Sequence, residues 1–128
     1  MRRPKDHILI IEHDPEMRTR LVSLFLQNAF LVDTARETHE AIEKLKNSEF
    51  AAVVINREMI RSGSNALDFL RQEQPELMPR VVIVSGEILP AGPDGSKDDT
   101  FPSTVYDMVE PEKMVQAVRD CANRPMWW

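Results

Sequence analysis

One cysteine, Cys121, occurs in 128 residues, so no disulfide can close within the chain. None is needed, because a domain of this length buries a core without staples, and a lone thiol suits a reducing compartment. Long apolar runs are missing as well. Ile8 to Ile11 and Val81 to Val84 fall far short of the roughly 20 residues that span a bilayer. The basic start MRRPKDH leads into no secretory apolar stretch with a cleavage site. These absences predict a cytoplasmic protein that does not use a membrane. Positive charge is scarce too: 16 Lys and Arg stand against 21 Asp and Glu, for a net charge of -5. The basic side chains are scattered and form no stripe that could neutralise a row of phosphates, which argues against nucleic acid as a direct partner.

What is present is an alternation. Four short apolar runs, HILII (7 to 11), the weaker FLV (30 to 32), AAVVI (51 to 55) and RVVIV (80 to 84), recur between amphipathic stretches. Continuous rather than alternating hydrophobicity marks strands covered on both faces, as in a parallel sheet between helices. After the first run, Asp14 is placed to cap a helix with Pro15 at its first position and Glu16 near its positive end. Met17, Leu21, Leu24 and Phe25 share one face of that helix. Ala41, Ile42 and Leu45 mark a second helix from about Glu37 to Asn47. Leu67 and Leu70 mark a third, which Asn65 could cap. Met114, Val115, Val118, Cys121 and Ala122 give a last helix between Pro111 and about Asn123. From Gly86 to Thr104, three prolines and three glycines preclude a regular helix and predict a long loop.

Strands alternating with helices imply right-handed crossovers and an open α/β sheet, with its ligand site at the carboxyl ends of the strands. The residues there are Glu12 and His13 after the first strand, Asn56 after the third and Ser85 after the fourth. Glu110 precedes Pro111 after a fifth strand near Val105 to Val109. IIEHDPEMRTRL resembles the opening of the response-regulator receiver family of two-component signal transduction, in which a strand ends in an acidic pair and a helix follows. VVIN resembles the strand ending in that family's phospho-accepting aspartate, VVIVSG the strand ending in its hydroxyl residue, and MVEP the strand ending in its Lys-Pro. No one motif is specific. The ordered set covers nearly the whole chain, failing only over Gly86 to Thr104 and around Ile60 to Ser64.

The resemblance implies one receiver-like domain over residues 1–128, with a core of about 6–123 and a tail of 124–128. The implied fold is α/β, flavodoxin-like (CheY-like), a three-layer sandwich on a five-stranded parallel sheet of order 2-1-3-4-5. The fourth helix would be shortened or replaced by the 86–104 loop. In phosphorelay members of the family, two acidic residues and the aspartate hold magnesium, the aspartate takes a phosphoryl group, and the hydroxyl and lysine bind its oxygens.

Each of those positions reads differently here. Asn56 stands for the aspartate, and a neutral carboxamide offers no anionic oxygen to attack phosphorus. Glu110 stands for the lysine. A carboxylate there would repel a phosphoryl oxygen by roughly 4 kcal/mol at about 4 Å for an effective dielectric near 20. Glu12 keeps its charge, but His13 replaces its acidic neighbour, leaving fewer of the hard oxygens that magnesium prefers. The losses agree with one another and predict a natural pseudo-receiver with a degenerate phosphorylation site made of Glu12, His13, Asn56, Ser85 and Glu110. His13 and Glu110 could form an ion pair of reversed polarity that makes the pocket pH-sensitive, or His13 is a solvated residue beside a strand end. Ser85 either hydrogen-bonds Asn56 or merely ends its strand. Tyr106 is the switch-region aromatic, one residue out of the family's register and so on the opposite face unless a bulge intervenes.

The function expected is therefore not catalysis but a phosphorylation-independent, contact-driven signalling module, working without a cofactor and read by a signalling protein or output domain. Met126, Trp127 and Trp128 either contact a partner or a second subunit, as in a homodimer, or fold back on the core. One alternative is a metal- or pH-responsive sensor with Glu12, Asp14, His13 and the Asn56 carbonyl as ligands, although Asp14 is already engaged if it caps the helix. The other is a flavodoxin-like cofactor-binding protein. Glu12, His13, Asp14 and Pro15 disfavour it, since acidic residues repel phosphate and proline withdraws a backbone donor.

Overall fold

A computed structural model describes residues 6–61, 66–85, 105–108 and 110–123. In chain order it forms β1 (His7–Ile11), α1 (Pro15–Gln27), β2 (Leu31–Ala35), α2 (Thr38–Asn47), β3 (Ala52–Asn56), α3 (Arg57–Arg61) and α4 (Ala66–Glu73). A 3₁₀ turn (Pro75–Arg80), β4 (Val81–Ser85), β5 (Val105–Asp107) and α5 (Pro111–Ala122) follow. The strands make one parallel sheet in the order β2-β1-β3-β4-β5. The predicted architecture and strand order are thus present, with β5 shorter than expected. The predicted 86–104 loop, the Asn65 cap and the Met126 to Trp128 tail lie outside the described residues. Among the described residues, no helix is long and apolar enough to cross a membrane.

Burial on both faces explains the unbroken apolar strands. Successive strand side chains point to opposite sides, so each interior strand feeds two cores. Ile8 and Ile10 of β1, Ala52 and Val54 of β3, and Val82 and Val84 of β4 meet Met17, Leu21 and Phe25 of α1 and Met114, Val115 and Val118 of α5. Leu9 and Ile11, Val53 and Ile55, and Val81 and Ile83 meet Ala41 and Leu45 of α2 and Ala66, Leu67 and Leu70 of α4. Each fully buried Leu or Ile contributes about 2 kcal/mol.

α1 forms where its signals predict. The Asp14 carboxylate accepts from the Met17 N–H at 3.1 Å, Pro15 opens the first turn, and Met17, Leu21 and Phe25 repeat every four residues on the buried face. The helix stops at Asn28, and the next residue, Ala29, turns the chain with φ 71°. β2 is longer than its FLV signal. It is an edge strand whose Leu31 is exposed and whose Asp33 accepts from Lys44 of α2 at 2.6 Å, so its far half reads as polar sequence. At the opposite end of the sheet, Arg80 is buried, and its Nη1 donates to the carbonyls of Ala51 (3.1 Å), Cys121 (2.9 Å) and Ala122 (3.3 Å). This guanidinium ties the start of β3 to the carbonyl end of α5, where the helix dipole favours positive charge.

Candidate functional site

The register of the two central strands builds the site. Ile11 of β1 pairs with Ile55 of β3, so the next residues, Glu12 and Asn56, emerge side by side at the carboxyl end of the sheet. Glu12 is fully buried and fixed from several sides. Its N–H donates to the Ala35 carbonyl at 2.9 Å, and its own carbonyl accepts from Arg18 Nη1 at 3.1 Å. Its carboxylate accepts the Asp14 N–H on Oε2 at 3.1 Å and the Asn56 Nδ2 on Oε1 at 2.6 Å. Asn56 is also buried, and its Oδ1 accepts the Glu58 N–H at 2.7 Å. The amide orientation is dictated by these neighbours, since a backbone N–H requires the oxygen and a carboxylate oxygen requires the NH₂. A chain of hydrogen bonds thereby runs from the Met17 N–H at the head of α1 through Asp14, Glu12 and Asn56 to the Glu58 N–H of α3.

The remaining predicted residues are less tightly gathered. His13 is 57% exposed, and its Nδ1 lies 3.5 Å from Glu12 Oε2. Glu110 is 60% exposed and takes Lys113 of α5 at 3.2 Å. The His13–Glu110 pair is therefore not formed, because each has a nearer partner within its own segment. Ser85 is buried at the tip of β4, one step beyond the Asn56–Val84 pair, and the side-chain hydrogen bonds of Asn56 run to Glu12 and Glu58 instead. Tyr106 pairs with Val84 and is half-buried against the same core as that residue, on the α1 and α5 side of the sheet.

Arg18 and the Glu58 backbone were not legible as site groups. Glu58 carried a usable signal, since Asn side chains commonly accept a backbone N–H two residues on. Arg18 carried none.

The donor set does not suit magnesium. Of the candidate ligands Glu12, Asp14, His13 and Asn56, Asp14 caps α1, His13 offers nitrogen, and Asn56 turns hydrogens toward Glu12 and its oxygen toward Glu58. Magnesium demands hard oxygen ligands in near-ideal octahedral geometry, and one carboxylate with both oxygens engaged does not supply it.

Comparison with solved structures decides the architecture. A receiver domain of a Francisella response regulator superposes with a TM-score of 0.75 at 15% identity, over 93% of this chain and 98% of that one. The fold is that of a receiver domain. A sensor protein from a Polaromonas species shares it (TM-score 0.74, 16% identity, 94% and 98% covered). So does the signal receiver domain of an HD domain-containing protein from Pseudomonas fluorescens (TM-score 0.71, 18% identity, 94% of each chain). No family model and no curated protein matches the sequence. In the receiver fold, the tips of β1 and β3 are where the family resemblance puts the acidic pair and the phospho-acceptor, and here they carry the bonded pair Glu12 and Asn56.

Proposed function

We propose that this chain is a phosphorylation-independent signalling module with a receiver fold, a pseudo-receiver read by a protein partner through a fixed conformation, and that it is not an enzyme. One observation carries the reading: the amide at the tip of β3 is bonded at both ends, Nδ2 to Glu12 at 2.6 Å and Oδ1 to the Glu58 N–H at 2.7 Å. Acyl phosphate formation needs an anionic oxygen free to attack in line. Asn56 offers a neutral oxygen already accepting a hydrogen bond. Glu110, at the position that the resemblance gives to a phosphate-binding lysine, offers a carboxylate paired with Lys113 and no cation to hold phosphoryl oxygens.

The partner class follows from the fold and the charge. A net charge of -5 without a basic stripe disfavours nucleic acid, and a protein partner or output domain in the cytoplasm fits the same composition. Incubation of the purified chain with acetyl phosphate or beryllofluoride, read by intact mass and by amide NMR shifts, tests the reading. The expected result is an unchanged mass and unmoved resonances around Glu12, Asn56 and Ser85. Stoichiometric modification would overturn it.

A further inference from the structure

We infer that the Asn56 amide fills the place a divalent cation would take beside Glu12, so that the pocket is closed to such ions, and that Asn56→Asp alone makes the folded chain cation-responsive. The first half follows from which atoms face Glu12. A cation approaching Oε1 meets an N–H of Asn56 Nδ2 at hydrogen-bond range, the positive end of the amide dipole. Turning the amide to present its oxygen would set Oδ1 against the Glu12 oxygen and Nδ2 against the Glu58 N–H. Acceptor would then face acceptor, and donor would face donor. Both bonds of a buried side chain would be lost, and unmet buried polar groups are costly.

The second half follows from the same 2.6 Å contact. An isosteric carboxylate at position 56 keeps an oxygen for the Glu58 N–H but sets its other oxygen against Glu12 Oε1 between two buried side chains. A proton or a cation between those oxygens relieves their repulsion, and two facing carboxylates are the hard donors that magnesium and manganese prefer. The neutral amide therefore sets an N–H donor beside Glu12 where a metal ion would stand.

This inference rests on the proposed reading of Asn56, but the two fail separately. Phosphoryl uptake from acetyl phosphate would sink the first, whereas manganese seated at Asn56 without phosphoryl uptake would sink only the second. The test follows the Asn56 side-chain NH₂ resonance of ¹⁵N-labelled chain, assigned by its loss in N56D, during titration with manganese chloride. Thermal unfolding is measured with and without magnesium chloride for the wild type, N56D and the double variant E12Q/N56D. The wild-type Asn56 resonance should broaden no more than that of Asn28, whose amide bonds Leu24 at the far end of α1. Magnesium should leave the wild-type midpoint in place, raise that of N56D, and lose this effect in E12Q/N56D. Selective broadening at Asn56, a magnesium-dependent wild-type midpoint, or a folded N56D indifferent to magnesium would each overturn the inference. If N56D folds only with magnesium, that supports it. If N56D folds under neither condition, the second half falls, and the wild-type measurements decide the first.

Discussion

The two ends of the sheet each bury a charged side chain, and they hold it in different ways. At the amino ends of the strands, Arg80 donates to three backbone carbonyls, two of them from the last turn of α5. At the carboxyl ends, Glu12 accepts one backbone N–H and one side-chain amide. The first arrangement uses partners present in any sequence that folds this way, because carbonyls at a helix end need donors regardless of side chain. The second depends on the identity of a single residue, Asn56. Structural anchoring is thus written in the backbone at one end, while at the other the chemistry is open to change by one substitution.

This contrast can be attacked by removing its members in turn. The largest effect is expected for Arg80→Met, which leaves three buried carbonyls short of a donor and should lower unfolding stability by about 3 kcal/mol. Urea denaturation measures it, and a loss under about 1 kcal/mol would mean that water takes over the carbonyls. Asn56→Ala should cost about 2 kcal/mol by stranding Glu12 Oε1 and the Glu58 N–H. In the same variant, amide hydrogen exchange at Glu58 should accelerate while that at Leu21 keeps pace with global unfolding. Asp14→Ala removes only the cap of α1, for about 1 kcal/mol, read from the thermal midpoint. The smallest effect is a gain. Ala29→Gly relieves a left-handed alanine at φ 71° and should raise stability by roughly 0.5 kcal/mol, and no gain would show that the turn favours the methyl group.

Much of this was legible in the sequence, and the reasons differ by element. β1, β3 and β4 announced themselves because burial on both faces removes every polar residue from their interiors, and α1 because cap, proline and apolar spacing agree. β2 was legible only in part, since an edge strand tolerates Asp33 and Thr34 in its body. α3 was not predicted: five residues carry too little periodicity to register. At the site, the rule that ligands bind beyond strand ends selected Glu12 and Asn56, and the fold brings them into contact. It could not foresee that His13 and Glu110 each find a partner close by in their own segments, because side-chain direction at a loop or helix start is not encoded in a strand pattern. Arg80 was read only as the lead-in to a strand, since nothing local in RVVIV reveals three carbonyls gathered from β3 and α5.

Every interior position of β1, β3 and β4 is committed to one of two separate cores by its parity along the strand. Sliding any of these strands by a single residue would exchange the two sets at once, so the interior tolerates swaps among aliphatic side chains but no shift of frame. That is how an architecture persists at 14 to 18% identity to solved receivers. The frame is guarded by size and oiliness alone, and the residues at the strand tips that neither interior layer claims, Glu12 just past β1, Asn56 ending β3 and Ser85 ending β4, are left at liberty to gain or forfeit a reaction.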